Sequence, residues 1–218
     1  MSKLATCLGG RNYTISGDVL GLAEQFVEKI LGSDVIVPAF AVGRTQDILY
    51  FIAKLRREAR IRPAEVYVDS PMAVAATRIT LAHPELQDRE SLGMDEWLKG
   101  GAGGRVHFTE DVADSMKINA IRSGAVIISA SGMCEVGRIL HHLKNNIGDP
   151  RNTILIVGYQ AANTLGRRLV EKARQGVQVY VIFDEFGNLV VPEAFKNFPP
   201  ELHTMRFKPI NRPWHIFD

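Results

Sequence analysis

The feature that most constrains this chain is an alternation of short, unbroken β-branched runs with stretches of helical periodicity. Asp34-Val35-Ile36-Val37-Pro38, Glu65-Val66-Tyr67-Val68-Asp69, Val106-His107-Phe108, Ala125-Val126-Ile127-Ile128-Ser129, Thr153-Ile154-Leu155-Ile156-Val157 and Val177 to Phe183 each predict a strand. Between them, Gly43 to Arg60 carries the helical stripe Ile48, Leu49, Ile52, Leu55. Cys134 to Asn146 carries Val136, Ile139, Leu140 and Leu143, with Ile147 just beyond. Further helices are expected from Pro71, from about Asp111, and from Ala162 to Gln175. Continuous apolar strands joined by helices are buried on both faces. The expected fold is therefore α/β, a mostly parallel sheet with helices on both faces, in a Rossmann-like layering.

The pattern holds over residues 1–183, which are expected to form one α/β domain. Residues 84 to 105 are its least regular part, and Gly100-Gly101-Ala102-Gly103-Gly104 is expected to be a flexible connection. That glycine run precedes a strand, so it lacks the strand–glycine loop–helix context of a dinucleotide fingerprint. Residues 184–218 hold Pro192, Pro199, Pro200, Pro209 and Pro213 and are expected to be an irregular C-terminal segment packing on the domain. Asn188 to Val191 is the one short strand suggested there.

Charge offers no global argument for a nucleic-acid partner. The 26 basic and 24 acidic residues leave a net charge of +2, so any such site must be a local patch. The two cysteines, Cys7 and Cys134, sit in no metal-binding cluster and are expected to be reduced. No signal-peptide pattern opens the sequence and no apolar run is long enough to span a bilayer, so the expected location is cytoplasmic, with no membrane partner.

In an open parallel sheet, ligands bind beyond the carboxyl ends of the strands. Four loops leave strands in that sense: residues 38–44, 69–73, 129–133 and 158–162. Three lead to arginines near the start of the next helix, namely Arg44, Arg138, and Arg167 with Arg168. Helix N-termini present unpaired N–H groups and a partial positive charge, and Ser129, Ser131 and Gly132 add hydroxyls and close backbone approach, a combination suited to phosphate. Tight turns and solvated arginines account for the same residues without a ligand. Asp69 is expected to cap the helix that follows it. His141 and His142 fall off the apolar stripe and are expected on a solvated face, with phosphate contact as the alternative. Tyr159 and Gln160 could stack on or hydrogen-bond a base, or simply pack.

HxHxDH, HExxH, GxSxG and GxxxxGK[ST] are all absent. The six histidines, His83, His107, His141, His142, His203 and His215, show no metal-ligand spacing. No catalytic or metal-binding residue is therefore expected.

The strand-end loops nevertheless resemble a known family. Val37 to Gln46 is similar to the P-x-F-A-x-G-R-x-Q signature of the β-CASP nucleases, and Tyr67 to Ala73 to their V-D-S-P-M-A segment. Phe108-Thr109 with Ser115 and Asn119 fits the next helix. Ser129 to Met133, then Gly137-Arg138 and His141-His142-Leu143, resembles the S-x-S-G-M…G-R…H-L block. Asp149 to Asn152, Val157 to Gln160 and Thr164 to Arg167 resemble the block after it. The matches run in family order over about residues 20 to 175.

The resemblance implies a β-CASP domain, which in complete family members caps a two-zinc metallo-β-lactamase domain, with RNA in the cleft between. This chain departs from the pattern at both ends: no HxHxDH precedes Asp34, and nothing after about residue 184 matches. The resemblance therefore implies an RNA-binding, substrate-capping domain of a metallo-β-lactamase-type ribonuclease that is not hydrolytic alone. It needs no cofactor of its own, zinc being expected only in a complete member. The implied partner is single-stranded RNA, contacted by Arg44, Ser129, Ser131, Gly132, Arg138, Tyr159 and Gln160. Two alternatives stay open. One is a scaffold that docks a metallo-β-lactamase domain or self-associates; the other is a nucleotide-binding α/β enzyme.

Overall fold

The computed structural model describes residues 33–59, 61, 63–86, 98, 105–121, 124–149, 151–158, 160–166, 168–169, 178–184 and 203–207. Seven strands form one sheet: β1 (Val35–Pro38), β2 (Glu65–Val68), β3 (Val106–Phe108), β4 (Ala125–Ser129), β5 (Thr153–Ile156), β6 (Gln178–Asp184) and β7 (His203–Phe207). Their order is β3-β2-β4-β1-β5-β6-β7, and every neighbouring pair is parallel. The fold is thus the α/β layering expected.

Strand alternation divides the core between two faces. Val35, Val37, Val66, Val68, Val126 and Ile128 pack with Leu49 and Ile52 of α1 (Arg44–Arg57) and Val74 of α2 (Pro71–Ala82). Ile36, Ile154 and Ile156 point the other way, onto Ile139 and Leu143 of α4 (Ile139–Asn146). Ala125 and Ile127 meet Ile118 of α3 (Val112–Ile118). All four residues of β1 and all five of β4 are buried, as expected of central strands covered on both sides. Burying one such Val or Ile side chain fully contributes about 1.5–3 kcal/mol.

Local chemistry sets the helix starts. Gly43 N–H donates to Gln46 Oε1 at 2.7 Å, closing the first turn of α1. Ser70 is the N-cap of α2: its Oγ accepts from Ala73 N–H at 3.3 Å, and Pro71 takes the first helical position. Asp69, expected to be that cap, is freed for another role.

α4 starts at Ile139, not at Cys134 as the apolar stripe predicted. Cys134 and Gly137 adopt φ of 60° and 90°, which no α-helix accommodates. Residues 131–138 form a compact turn instead, in which Ser131 N–H donates to Val136 O at 2.9 Å. Gly137 is required here twice over, since a Cβ would also lie 2.5 Å from Ala130 O.

The sheet extends beyond the sequence expectation. His203–Phe207 pairs in parallel with β6 inside the stretch expected to be irregular. The prolines that suggested irregularity flank this segment and do not enter it, so its ladder is intact. Of the helix expected from Ala162, residues Leu165, Gly166, Arg168 and Leu169 are helical. Cys7, Gly100 to Gly104, Tyr159, Arg167 and Asn188 to Val191 lie outside the described residues. Among the described residues, no helix is long and apolar enough to cross a membrane.

Candidate nucleic-acid interface

Register brings the strand ends together. Pro38 aligns with Ser129, and Val68 aligns with both Ile128 and Phe108. Backbone bonds continue one residue past the strands: Ala39 N–H to Ser129 O at 3.0 Å, Asp69 N–H to Ile128 O at 2.9 Å, and Thr109 N–H to Val68 O at 3.1 Å. The loops after β1, β2, β3 and β4 therefore emerge along one edge, where an open parallel sheet takes ligands.

Asp69 organises that edge. Its carboxylate is fully buried. Oδ1 accepts from Arg138 at 2.8 Å; Oδ2 accepts from Ser115 Oγ at 2.7 Å and from His142 Nε2 at 2.6 Å. Its backbone oxygen accepts from Ser129 Oγ at 2.8 Å. Burial works against the charge on Asp69. The bonds from His142, Ser115 and Arg138 together outweigh it and hold the carboxyl below the usual carboxylate range. One carboxylate thus ties α3, α4 and the turn before α4 to the end of β2. Arg138 also donates to Thr109 O at 3.1 Å and to Glu110 O at 2.5 Å, which fastens the loop after β3.

His142 is buried, with 1% of its surface exposed, and does not lie on the solvated face expected of it; His141 is exposed. Position 142 follows Ile139 by three residues and shares its face of α4, so it points inward. Because Asp69 is an acceptor, Nε2 of His142 carries a proton. Its Nδ1 is buried without a hydrogen-bond partner.

The residues expected to contact phosphate separate into two groups. Ser129 and Gln160 are buried. Ser129 spends its proton on Asp69, while Gln160 Nε2 donates to Gly132 O at 2.7 Å, tying the loop after β5 to the loop after β4. Gly132 is itself buried, and it packs so closely on Phe40 that a Cβ there would lie 3.0 Å from the Phe40 ring and backbone. Arg138 keeps 18% of its side chain exposed, with its guanidinium committed to Asp69 and two carbonyls. Arg44, at 28%, faces outward and meets Asp47 at 3.5 Å. Ser131 is half-buried, and its Oγ accepts from Glu135 and Val136 N–H at 3.3 and 3.4 Å. Burial pushes the Asp47 carboxyl up to about 6, against the pull of Arg44.

Gln46 adds a link that spacing alone did not show. Its Nε2 reaches Thr77 Oγ1 at 2.8 Å and Ala41 O at 3.2 Å, so the loop after β1 is braced against α2. Phe40, Val42 and Met72 leave apolar surface on the loops, at 43%, 68% and 66% exposure.

Zinc does not fit what this edge offers. Asp69 and His142 are the donors brought together, and they are bonded to each other and to Arg138. Among the described residues, no group of three His, Cys, Asp or Glu side chains could hold a metal ion.

A parallel α/β sheet with a braced, arginine-bearing loop edge defines the structural class of this chain. Within that class the chain belongs to the Beta-Casp domain family, whose model matches residues 45–169. It is 34% identical over 158 residues to Ribonuclease TTHA0252 of Thermus thermophilus, covering 68% of this chain and 35% of the relative. It is 31% identical over 163 residues to an RNase J-like protein of Methanocaldococcus jannaschii, covering 71% and 36%. It is 33% identical over 140 residues to transcription termination factor FttA of Methanosarcina mazei, covering 63% and 22%. The chain therefore matches about a third or less of the length of these relatives.

Proposed function

We propose that this chain is the RNA-binding, substrate-capping domain of a metallo-β-lactamase-type ribonuclease of the cytoplasm, and that it does not hydrolyse RNA alone. The observation that carries this reading is the common edge on which the loops after β1 and β4 emerge, with Arg44 and Ser131 at its surface. Family membership and relatives named as ribonucleases support RNA as the ligand. Arg44 and Ser131 contact phosphate, Tyr159 stacks on a base, and Ser129, Gly132, Arg138 and Gln160 hold the loops in place for them. Activation of water belongs to a metal site outside this chain's own residues.

Binding of single-stranded RNA at low and moderate salt tests the reading. Arg44→Ala should weaken salt-sensitive binding while leaving the melting temperature unchanged. Absence of binding at low salt contradicts the proposal.

The exposed Phe40, Val42 and Met72 favour a second reading, in which the same edge docks a metallo-β-lactamase domain or a second copy of this chain. A concentration-dependent dimer without RNA binding would favour it.

A further inference from the structure

Phe40, in the loop after β1, stands partly in water and is held there from two sides. Its neighbours Ala39 and Ala41 turn into the core, whereas Phe40 turns away from it and is 43% exposed. The Cδ2–Cε2 side of its ring lies on Gly132, in the loop after β4. A Cβ at 132 would come within 3.0 Å of Cδ2 and 3.2 Å of Cε2. Gly132 is fixed in turn, because its backbone oxygen accepts from Gln160 Nε2 at 2.7 Å. The backbone of Phe40 is pinned as well. Its carbonyl accepts from Thr45 Oγ1 at 2.8 Å and from Thr45 N–H at 3.2 Å, and Ala39 N–H donates to Ser129 O at 3.0 Å. The two bonds from Thr45 close residues 40–45 into one turn, so the Phe40 ring and Arg44 belong to the same short loop. Ser131 is the residue before Gly132.

A single apolar residue in water needs no explanation by itself. What sets Phe40 apart is that a glycine and a braced turn hold an aromatic ring that the core does not use. Full burial of a phenylalanine contributes about 1.5–3 kcal/mol, part of which this position forgoes. Single-stranded nucleic acid presents flat, unstacked bases strung on phosphates, and proteins take it on aromatic rings set beside cations. Phe40 and Arg44 bring those two chemistries to one turn.

We propose that the Phe40 ring is a stacking platform for one base of the RNA strand, next to a phosphate taken by Arg44. The contact rests on the RNA-binding function proposed above and adds a base to it. It contributes affinity with little sequence preference, because every base has a π face. Gly132 is the residue that lets the ring lie where a base can reach it.

The test compares the full wild-type chain with Phe40→Leu, which keeps an apolar side chain but no π face, and with Phe40→Tyr, which keeps the ring. The probes are single-stranded RNA of about 10 nucleotides, within common single-strand site sizes, and an abasic sugar–phosphate strand of the same length. Phe40→Leu should bind the RNA on the order of tenfold more weakly, as expected for the loss of one stacked base. Its log–log salt slope should not change, because no phosphate contact is lost. Binding of the abasic strand should be the same in all three proteins, and Phe40→Tyr should bind RNA like the wild type. A fourth variant, Phe40→Trp, reads the contact directly. Its emission should be quenched by RNA and not by the abasic strand, beyond any change shown by the wild type with its own Trp97 and Trp214. That readout holds even if Phe40→Leu lowers the melting temperature. Equal weakening of both probes by Phe40→Leu, or no RNA-specific quenching in Phe40→Trp, overturns the proposal. RNA binding by Phe40→Leu equal to that of the wild type also overturns it, while leaving the RNA reading in place. Failure of the wild type to bind either strand at low salt overturns both.

Discussion

His142 Nε2 lies 2.6 Å from Asp69 Oδ2, joining the middle of α4 to the end of β2 through two side chains that are almost completely buried. Removing one partner of a buried charged cluster leaves the others desolvated without compensation, at a cost of about 3–5 kcal/mol. Asp69→Asn should therefore lower the stability measured by urea unfolding by about 3 kcal/mol, with an unchanged m value, since an Asn oxygen can still accept one of the bonds.

The same carboxylate has a pH signature. Its folded-state pKa is depressed below the ordinary carboxylate value of 3.8, so the folded state holds fewer protons than the unfolded one. The stability it contributes is fully present above 3.8 and is lost as pH falls through the folded value. Thermal melts between pH 2 and pH 5 should show a steeper acid loss in the wild type than in Asp69→Asn.

Asp47 has the opposite sign. Burial raises its pKa from 3.8 to about 6, so between those values the folded state binds more protons and stability falls as pH rises. Asp47→Asn should flatten that window and raise the melting temperature at pH 7. Neutralising Asp47 also removes the carboxylate 3.5 Å from Arg44, so the variant should bind RNA more tightly than wild type at pH 7 and about equally at pH 5.

Gly137 tests the turn before α4. With φ at 90° and no room for a Cβ against Ala130 O, Gly137→Ala should destabilise by about 1–3 kcal/mol. It should also weaken RNA binding, because Ser131 and Arg138 flank the displaced backbone. Calorimetry and an RNA titration on the same sample check both effects.

Gln46 joins the loop after β1 to α2 through buried hydrogen bonds. Gln46→Ala leaves Ala41 O without its bond from the Gln46 amide and should cost about 1–3 kcal/mol in denaturant unfolding. Hydrogen exchange should rise first at residues 40–44.

The strands and most helices were legible because their signals are local. Val35-Ile36-Val37 and Ala125 to Ser129 are unbroken apolar runs, and Ser70-Pro71 is a strong helix start. β7 was not legible, since His203-Thr204-Met205-Arg206-Phe207 is a weak pattern among prolines and pairs with a strand some twenty residues away. The loop edge was legible from Arg44 and the small residues of 129–133, whereas the Asp69 cluster was not. Ser115, Arg138 and His142 lie 46, 69 and 73 residues from Asp69, and only the sheet order brings them to it. A signal was nonetheless present: Ser70 before Pro71 is itself a sufficient cap, which leaves Asp69 needing distant donors, and His142 shares the buried face of Ile139.

The most direct test of the account is the salt dependence of single-stranded RNA binding by the wild-type chain and Arg44→Ala, followed by fluorescence anisotropy from low to moderate salt. The account predicts binding that weakens steeply with salt, and an Arg44→Ala slope shallower by about 0.7 with an unchanged melting temperature. No binding by the wild type at low salt, or identical slopes for the two proteins, would contradict it.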